Sequence, residues 1–137
     1  MADSVRKVNY AYVVVPNRPG HGARMLLELK NAGVDLVAYS GFPVKGGSQM
    51  DMVTPDMTGL KRVARANDWK LSKPKKGFLI QGSDRIGAVH RHLSKLAENK
   101  INVVAADAVA AGKDRYAMIL WVKPKDYQKA SRALGAR

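Results

Sequence analysis

An internal duplication constrains this chain more than any other feature of its sequence. When the 137 residues are aligned with themselves at an offset of 67 positions, identical residues coincide along a long stretch. The identities pair Arg18 with Arg85, Gly20 with Gly87, Arg24 with Arg91, Leu26 with Leu93, Leu29 with Leu96, and Val37-Ala38 with Val104-Ala105. Because glycine, arginine and apolar residues recur together at one spacing, we interpret the chain as two copies of one unit, residues 1–72 and 73–137.

The residue pattern of each copy predicts strands and helices in the order βαββα. β-Branched and aromatic runs predict strands at 10–15, 34–39 and 49–53 in the first copy, and at 77–81, 101–108 and 116–122 in the second. Glycine-bearing turns at 45–47 and 112–114 favour hairpins. A second helix is expected after Pro55 and, in the second copy, after Pro124.

The first helix of each copy is amphipathic. Its apolar residues gather on one helical face, so we expect the leucines there to lie in the core. They are Leu26, Leu29, Leu93 and Leu96. Asn17 and Asp84 stand where N-cap residues are common, and Gly33 is a residue type that often ends a helix.

The two copies differ in their last strand. Residues 69–71 predict a closing strand for the first copy, whereas the sequence stops at Arg137, where its counterpart would begin. The edge of the second copy near residues 77–81 is therefore expected to be unpaired. The basic segment 70–76 could charge this edge, or a strand from elsewhere in the protein or from a dimer mate could cover it.

The turn before each first helix resembles the motif of the ACT domain, a small regulatory module. The usual phrase of that family is Asp-Arg-Pro-Gly, then a helix, then Gly-Ile-Asn-Ile. The first copy keeps Arg18-Pro19-Gly20 but has Asn17 and Asp35. The second copy keeps Asp84-Arg85, Gly87 and Asn102 but has Ile86 in place of proline. The resemblance covers nearly the whole chain as a tandem pair.

The resemblance implies a fold and a function. The fold would be α+β and ferredoxin-like (βαββαβ), with two units side by side in one eight-stranded antiparallel sheet and helices on one face. The protein would be a stand-alone regulator that binds an amino acid between one unit's turn and the other unit's second strand. The implied ligand-binding residues are Asn17, Arg18, Pro19, Gly20, Asp35, Asp84, Arg85, Ile86, Gly87 and Asn102.

Elementary chemistry independently makes such a turn a suitable anion site. Glycine lets the backbone approach a ligand closely, and the N–H groups at a helix start favour a carboxylate. Arg18 and Arg85 offer guanidinium groups that match carboxylate geometry. Asp84 would repel a carboxylate, so the neutral turn at Asn17 is the better site, with Asn102 as its polar complement. The alternative interpretation is that both turns only cap helices.

The residues that usually carry catalysis do not form a recognisable set. The chain has no cysteine, its carboxylates are scattered, and neither a Gly-x-Ser-x-Gly elbow nor a phosphate-binding loop occurs. His90 and His92 are two positions apart on a helix, and His21 is distant in sequence, so structural or solvent-facing roles are expected for all three. We therefore predict no enzyme activity, no cofactor and no metal site.

The formal net charge of +13 is concentrated in the second copy. Residues 1–72 hold 10 Lys+Arg against 6 Asp+Glu, whereas residues 73–137 hold 14 against 5. This balance predicts weak, non-specific attraction to polyanions. It also keeps a rival open, a basic nucleic-acid-binding module on a ferredoxin-like fold, although only Tyr116 and Trp121 could stack on bases.

The remaining expectations concern surroundings and partners. No segment is long and apolar enough to span a bilayer, and the N-terminus lacks the apolar centre of a signal peptide, so a cytoplasmic protein without membrane partners is expected. The expected partners are an amino acid or related carboxylate, a second copy in a homodimer, and a regulated protein.

Overall fold

The computed structural model describes residues 3–137. Contacts divide the chain into two compact units. One unit comprises Asn9–Lys75; the other comprises Lys76–Arg137 together with the chain up to Val8. The second repeat thus includes a segment from the beginning of the chain, which the sequence-based division after residue 72 had assigned to the first repeat.

Six strands and four α-helices make up the described chain. The strands are β1 (Ser4–Val15), β2 (Ala38–Val44), β3 (Gly47–Val53), β4 (Lys75–Ser83), β5 (Val103–Gly112) and β6 (Arg115–Val122). The helices are α1 (His21–Asn31), α2 (Met57–Ala66), α3 (Ala88–Glu98) and α4 (Tyr127–Leu134), and a 3-10 turn at Pro124–Asp126 precedes α4. The strand order is β2-β3-β1-β4-β6-β5, and β1 pairs with β3, β2 with β3, β4 with β6 and β5 with β6 antiparallel. The α+β fold class is confirmed, but the described residues form six strands instead of the eight that the resemblance implied.

In the unit 9–75, α1 and α2 pack on strands β1 and β3. Ala11 and Val13 of β1 and Met50 and Met52 of β3 are at most 2% exposed. The helices add apolar side chains to the same core, among them Met25, Leu29, Leu60 and Val63. The predicted core position Leu29 is confirmed at 1% exposure. Leu26 is only partly buried at the margin of the core, because its neighbour Met25, one helical turn before Leu29, takes the inward position.

The predicted closing strand at residues 69–71 is wrong. The backbone there is satisfied locally: the Trp69 N–H donates to the Ala64 carbonyl and the Leu71 N–H donates to the Trp69 carbonyl. One backbone hydrogen bond to β1 follows, from the Ser72 N–H to the Tyr12 carbonyl at 2.8 Å. A ladder needs donors in regular succession along both strands, so this segment lies beside β1 without becoming a strand.

The edge of the second repeat, expected to be unpaired, is covered by the beginning of the chain. Residues Ser4–Val8 belong to this unit, and β1 neighbours β4 in the sheet. Val5 is 7% exposed and belongs to the core that β4, β6, α3 and α4 form. The Arg137 N–H donates to the Val5 carbonyl and the Lys7 N–H donates to the Arg137 carbonyl. One strand, β1, therefore serves both repeats in succession.

Both predicted hairpins are confirmed. Val44 pairs with Gly47 and Gly112 pairs with Arg115, so each connection is two residues long. Lys113 and Asp114 have φ of 53° and 58°, the left-handed values of the turn that matches strand twist.

The strand β2 begins later than the pattern 34–39 predicted. Val34 is part of the end of α1, because its N–H donates to the Leu29 carbonyl around Gly33, whose φ is 73°. The Asp35 carbonyl then accepts from the Thr54 hydroxyl at 2.7 Å. Gly33 ends the first helix as expected, Val34 completes the helix cap, and strand pairing starts at Ala38.

Candidate functional site

Each unit contains a cleft between the start of its first helix and its outer strand. The cleft of the unit 9–75, hereafter the first cleft, has a volume of about 310 Å³. It is lined by Val15, Pro16, Asn17, Arg18, His21, Gly22, Tyr39, Gly41, Phe42, Pro43, Ser48 and Met50. The cleft of the other unit, the second cleft, has a volume of about 280 Å³ and is lined by Asp84, Arg85, Gly87, Ala88, Val89, His90, Ala108, Val109, Ala110 and Tyr116.

The helix starts that border the clefts are built on glycine. The N-cap residues are Gly20, with φ of 92°, and Gly87, with φ of 83°. The sequence-based assignment of Asn17 and Asp84 as N-caps is wrong, because the turn continues for three residues beyond them before the helix begins. Neither helix has a side-chain cap, so the first-turn N–H groups are not used by a capping side chain.

The outer strand gives the first cleft an aromatic ring. Tyr39 is 42% exposed and shares a face of β2 with Gly41 and Pro43, which also line the cleft. Phe42 is 41% exposed and borders the cleft, but it is three positions further along the strand, so its side chain points to the opposite face. The Tyr39 hydroxyl lies against two glycines, since a Cβ added at Gly41 or Gly22 would stand 3.2 Å or 3.4 Å from it. A larger side chain at either position would press against the Tyr39 hydroxyl. The two glycines therefore leave the space that the Tyr39 ring needs in this position.

The second cleft differs in the placement of its ring. Its outer strand contributes Ala108, Val109 and Ala110, while the third strand of the unit contributes Tyr116. Tyr116 and Ser48 occupy equivalent positions, because each is the second residue of the strand that follows its hairpin. The second cleft therefore has an aromatic ring where the first cleft has the small side chain of a serine. Asp84 adds a carboxylate to the second cleft, whereas no acidic residue lines the first.

A buried polar cluster lies behind the second cleft. The Asp3 Oδ2 atom accepts from the Tyr116 hydroxyl at 2.5 Å and lies 2.6 Å from both the Arg91 guanidinium and His92 Nε2. The Asp3 and His92 side chains are each 3% exposed. Because an ionised carboxylate only accepts hydrogen bonds, His92 Nε2 carries the hydrogen. Gly82 leaves room for this carboxylate, since a Cβ there would overlap the Asp3 side chain.

The cluster shifts the acidity of its members. Burial by itself would raise the pKa of Asp3, but hydrogen bonds from Tyr116 and His92 and the ion pair with Arg91 lower that pKa from 3.8 to about 2. Burial and the hydrogen bond to Asp3 raise the pKa of Tyr116. The ion pair with Asp3 raises the pKa of Arg91. The cluster therefore holds an ionised carboxylate at neutral pH and ties the beginning of the chain to α3 and β6.

The structure brings some of the predicted site residues together and leaves others apart. Asn17 and Arg18 line the first cleft; Asp84, Arg85 and Gly87 line the second. Pro19, Gly20 and Ile86 lie in the same turns without lining the clefts, and Ile86 is fully exposed. Asp35 lines a separate cleft of about 360 Å³ at the other end of α1. Asn102 is exposed, two residues after the left-handed Lys100 that follows α3.

Sequence reasoning missed Tyr39, Phe42 and Asp3 as site-forming residues. Tyr39 had one signal, since it is the aromatic residue of the predicted strand 34–39, whereas Phe42 lies beyond the predicted end of that strand. Asp3 had none, because its partners Arg91, His92 and Tyr116 are all in the other repeat and only the fold brings them together.

The structure does not support base stacking by the two aromatic residues of the nucleic-acid alternative. Tyr116 and Trp121 are 4% and 5% exposed, so neither presents a ring face to solvent. Within residues 3–137, no three His, Asp or Glu side chains are arranged to hold a metal ion. No helix of the described chain has the length and apolar character needed to cross a membrane.

No protein-family model and no curated protein sequence matches the chain. Solved structures do match it. Protein BT0572 from Bacteroides thetaiotaomicron superposes with a TM-score of 0.76 at 14% identity, over 97% of this chain and 88% of that one. The ligand-free regulatory subunit of aspartate kinase from Thermus thermophilus gives a TM-score of 0.66 at 14% identity, over 98% and 95% of the two chains.

A whole aspartate kinase from Clostridium acetobutylicum matches with a TM-score of 0.63 at 12% identity, and there 98% of this chain covers 33% of the enzyme. The likeness to the separate regulatory subunit extends over nearly all of both chains. The chain therefore has the ACT-domain fold, the α+β, ferredoxin-like arrangement that its turn motifs resemble.

Proposed function

We propose that this protein is a non-catalytic regulator that binds a free amino acid or a similar small carboxylate in the first cleft. One observation carries the proposal: Asn17, Arg18 and the start of α1 border a single cleft whose volume, about 310 Å³, suits a small ligand. The turn predicted from the sequence to bind an anion is thus next to a space in which a ligand fits.

The chemistry of the lining favours an anion. Arg18 supplies a guanidinium group, and the uncapped start of α1 supplies backbone N–H groups. The absence of an acidic side chain from this lining leaves the ligand's carboxylate without a like charge nearby. The side-chain oxygen of Asn17 is a neutral acceptor for a ligand ammonium group.

The second cleft is proposed as a weaker carboxylate site. Arg85 corresponds to Arg18, but Asp84 stands beside it and would repel a carboxylate. Asp35 and Asn102 line neither of the two clefts, and the proposal does not depend on them.

The comparisons support regulation over catalysis. The chain matches a separate regulatory subunit of aspartate kinase over nearly its full length. A related enzyme, aspartokinase III of E. coli, was solved in complex with aspartate and ADP. We propose that this chain, in the cytoplasm, relays ligand binding through assembly as a homodimer or through a regulated protein. The outer strand β5 is exposed over nearly its whole length and is a suitable surface for such contacts.

A thermal-shift screen of the twenty amino acids and related small carboxylates tests the proposal. A ligand at about 100 times its Kd adds roughly 2.7 kcal/mol to native stability, which raises the melting temperature by several degrees. The Gly20→Val variant should abolish this shift, because a β-branched residue strains the left-handed turn that positions Asn17, Arg18 and the start of α1. Gly87→Val tests the second cleft in the same way.

Gly33→Val is the matched control. Gly33 also has a positive φ and no atom within 4 Å of an added Cβ, but it lies at the opposite end of α1. Each folded variant is therefore strained in a similar way, and only Gly20→Val should remove the ligand response. If no carboxylate stabilises the protein at millimolar concentration, or if the response survives both Gly20→Val and Gly87→Val, the turns serve only to begin the helices.

A further inference from the structure

We infer that the first cleft selects a carboxylate that carries an aromatic ring, and that the second cleft does not. The inference rests on the proposed function and names the ligand class of that site. It is drawn from the difference between the two clefts, which occupy the same place in the two repeats but present different side chains.

Tyr39 presents ring surface to the first cleft. It is about two-fifths exposed, and Met50, Pro43 and Val15 add apolar surface to the same cleft. A ligand ring would cover this surface and could take the offset or edge-to-face contacts that aromatic rings prefer.

The positive charge lies in the same cleft. Arg18 lines it together with Tyr39, and no carboxylate is among the described residues that line it. A ligand whose anionic group faces Arg18 would therefore place the rest of its structure against the ring-bearing strand β2. The site thus combines recognition of a carboxylate with recognition of an aryl group.

The second cleft differs from the first in its lining. Its outer strand offers Ala108, Val109 and Ala110 in place of a ring, and Asp84 adds a negative charge. Its own ring, Tyr116, is 4% exposed and its hydroxyl is held by Asp3. Little ring surface is left for a ligand there, so the two clefts should differ in what they bind.

Isothermal titration calorimetry tests the inference, with phenylalanine, tryptophan and 3-phenylpropionate as aromatic probes and alanine, leucine and aspartate as the others. We expect the aromatic probes to bind more tightly than leucine. Replacing the ring by leucine, Tyr39→Leu, keeps apolar bulk and should weaken the aromatic probes about three- to ten-fold while leaving leucine nearly unchanged. Val109→Ala in the second cleft is the control and should change neither.

Two results would overturn the inference while the proposed function stands. One is tighter binding of a non-aromatic carboxylate than of any aromatic probe, with loss of that binding in Gly20→Val. The other is aromatic binding that Gly20→Val abolishes but that Tyr39→Leu leaves unchanged. If none of the probes binds, and the wider screen of amino acids also gives no response, the proposed function fails and this inference fails with it.

Discussion

Replacing Asp3 by asparagine should destabilise the protein by removing the negative charge that Tyr116, His92 and Arg91 surround. The carboxylate is 3% exposed and is contacted by Tyr116, Arg91 and His92. Its pKa falls from 3.8 to about 2 in the folded protein, and this difference corresponds to about 2.5 kcal/mol in favour of the ionised form. Since Arg91 is 39% exposed, solvent screens part of its attraction, and we expect a loss of about 2 kcal/mol at pH 7.

The assay is thermal unfolding followed at several pH values. For a chain of this length, about 2 kcal/mol should lower the melting temperature by roughly 6–8 °C at pH 7. Because the folded pKa lies below the unfolded value, the stabilisation by Asp3 is complete above the unfolded pKa and is lost as the pH falls through about 2. The difference between wild type and Asp3→Asn should therefore be constant above about pH 5 and should shrink between pH 4 and pH 2.

Asp35→Asn is the matched control, because it makes the same chemical change at an exposed position. It should alter stability by less than about 0.5 kcal/mol. In Asp3→Asn, amide exchange at Lys7, whose N–H donates to the Arg137 carbonyl, should also become faster. Equal melting temperatures of wild type and Asp3→Asn at pH 7, or a difference that persists at pH 2, would refute the reasoning.

Three further predictions follow from the packing and the charge. Gly82→Ala should displace the Asp3 carboxylate and lower the free energy of unfolding by about 2 kcal/mol, but by clearly less when Asp3 is already alanine. Equal losses in the two backgrounds, measured by calorimetry, would contradict the predicted overlap of the two side chains. Leu96→Ala, at a fully buried position, should cost about 3 kcal/mol in urea unfolding, and Leu93→Ala at the core margin about 1 kcal/mol; the reverse order would mean that the helix face is misassigned. Polyanion binding through about six Lys or Arg contacts should weaken on the order of 10³-fold between about 50 and 200 mM salt, and tight sequence-selective RNA binding at high salt would instead favour the nucleic-acid alternative.

The sequence predicted most of the local structure because that structure depends on neighbouring residues. The two-residue hairpins, the end of α1 at Gly33 and the periodic burial at Leu29 and Leu96 all follow from turn chemistry or helical spacing. The errors arose where backbone geometry decided the outcome. Asn17 is a common N-cap residue type, yet the left-handed Gly20 occupies that position.

The candidate site was predicted in part for the same reason. The turn residues were found because they form a short contiguous motif, and the structure places Asn17 and Arg18 on one cleft. The ring-bearing side of that cleft required knowing which strand lies beside the turn. Asp3 required knowing that a segment from the beginning of the chain joins the second repeat, which no local pattern records.

The sharing of β1 between the two units also affects the order in which the molecule can fold. Ser4–Val8 precede their partners β4 and Arg137 in the sequence, so they are synthesised before either of them. The contact with Arg137 closes a loop that contains all the residues between, so its entropic cost is offset only when other structure already holds the two segments near each other. The unit 9–75 is one contiguous stretch of sequence, so it can fold on the ribosome before the second unit has been synthesised. Ser4–Val8 can pair only after their partners in the second unit have been synthesised.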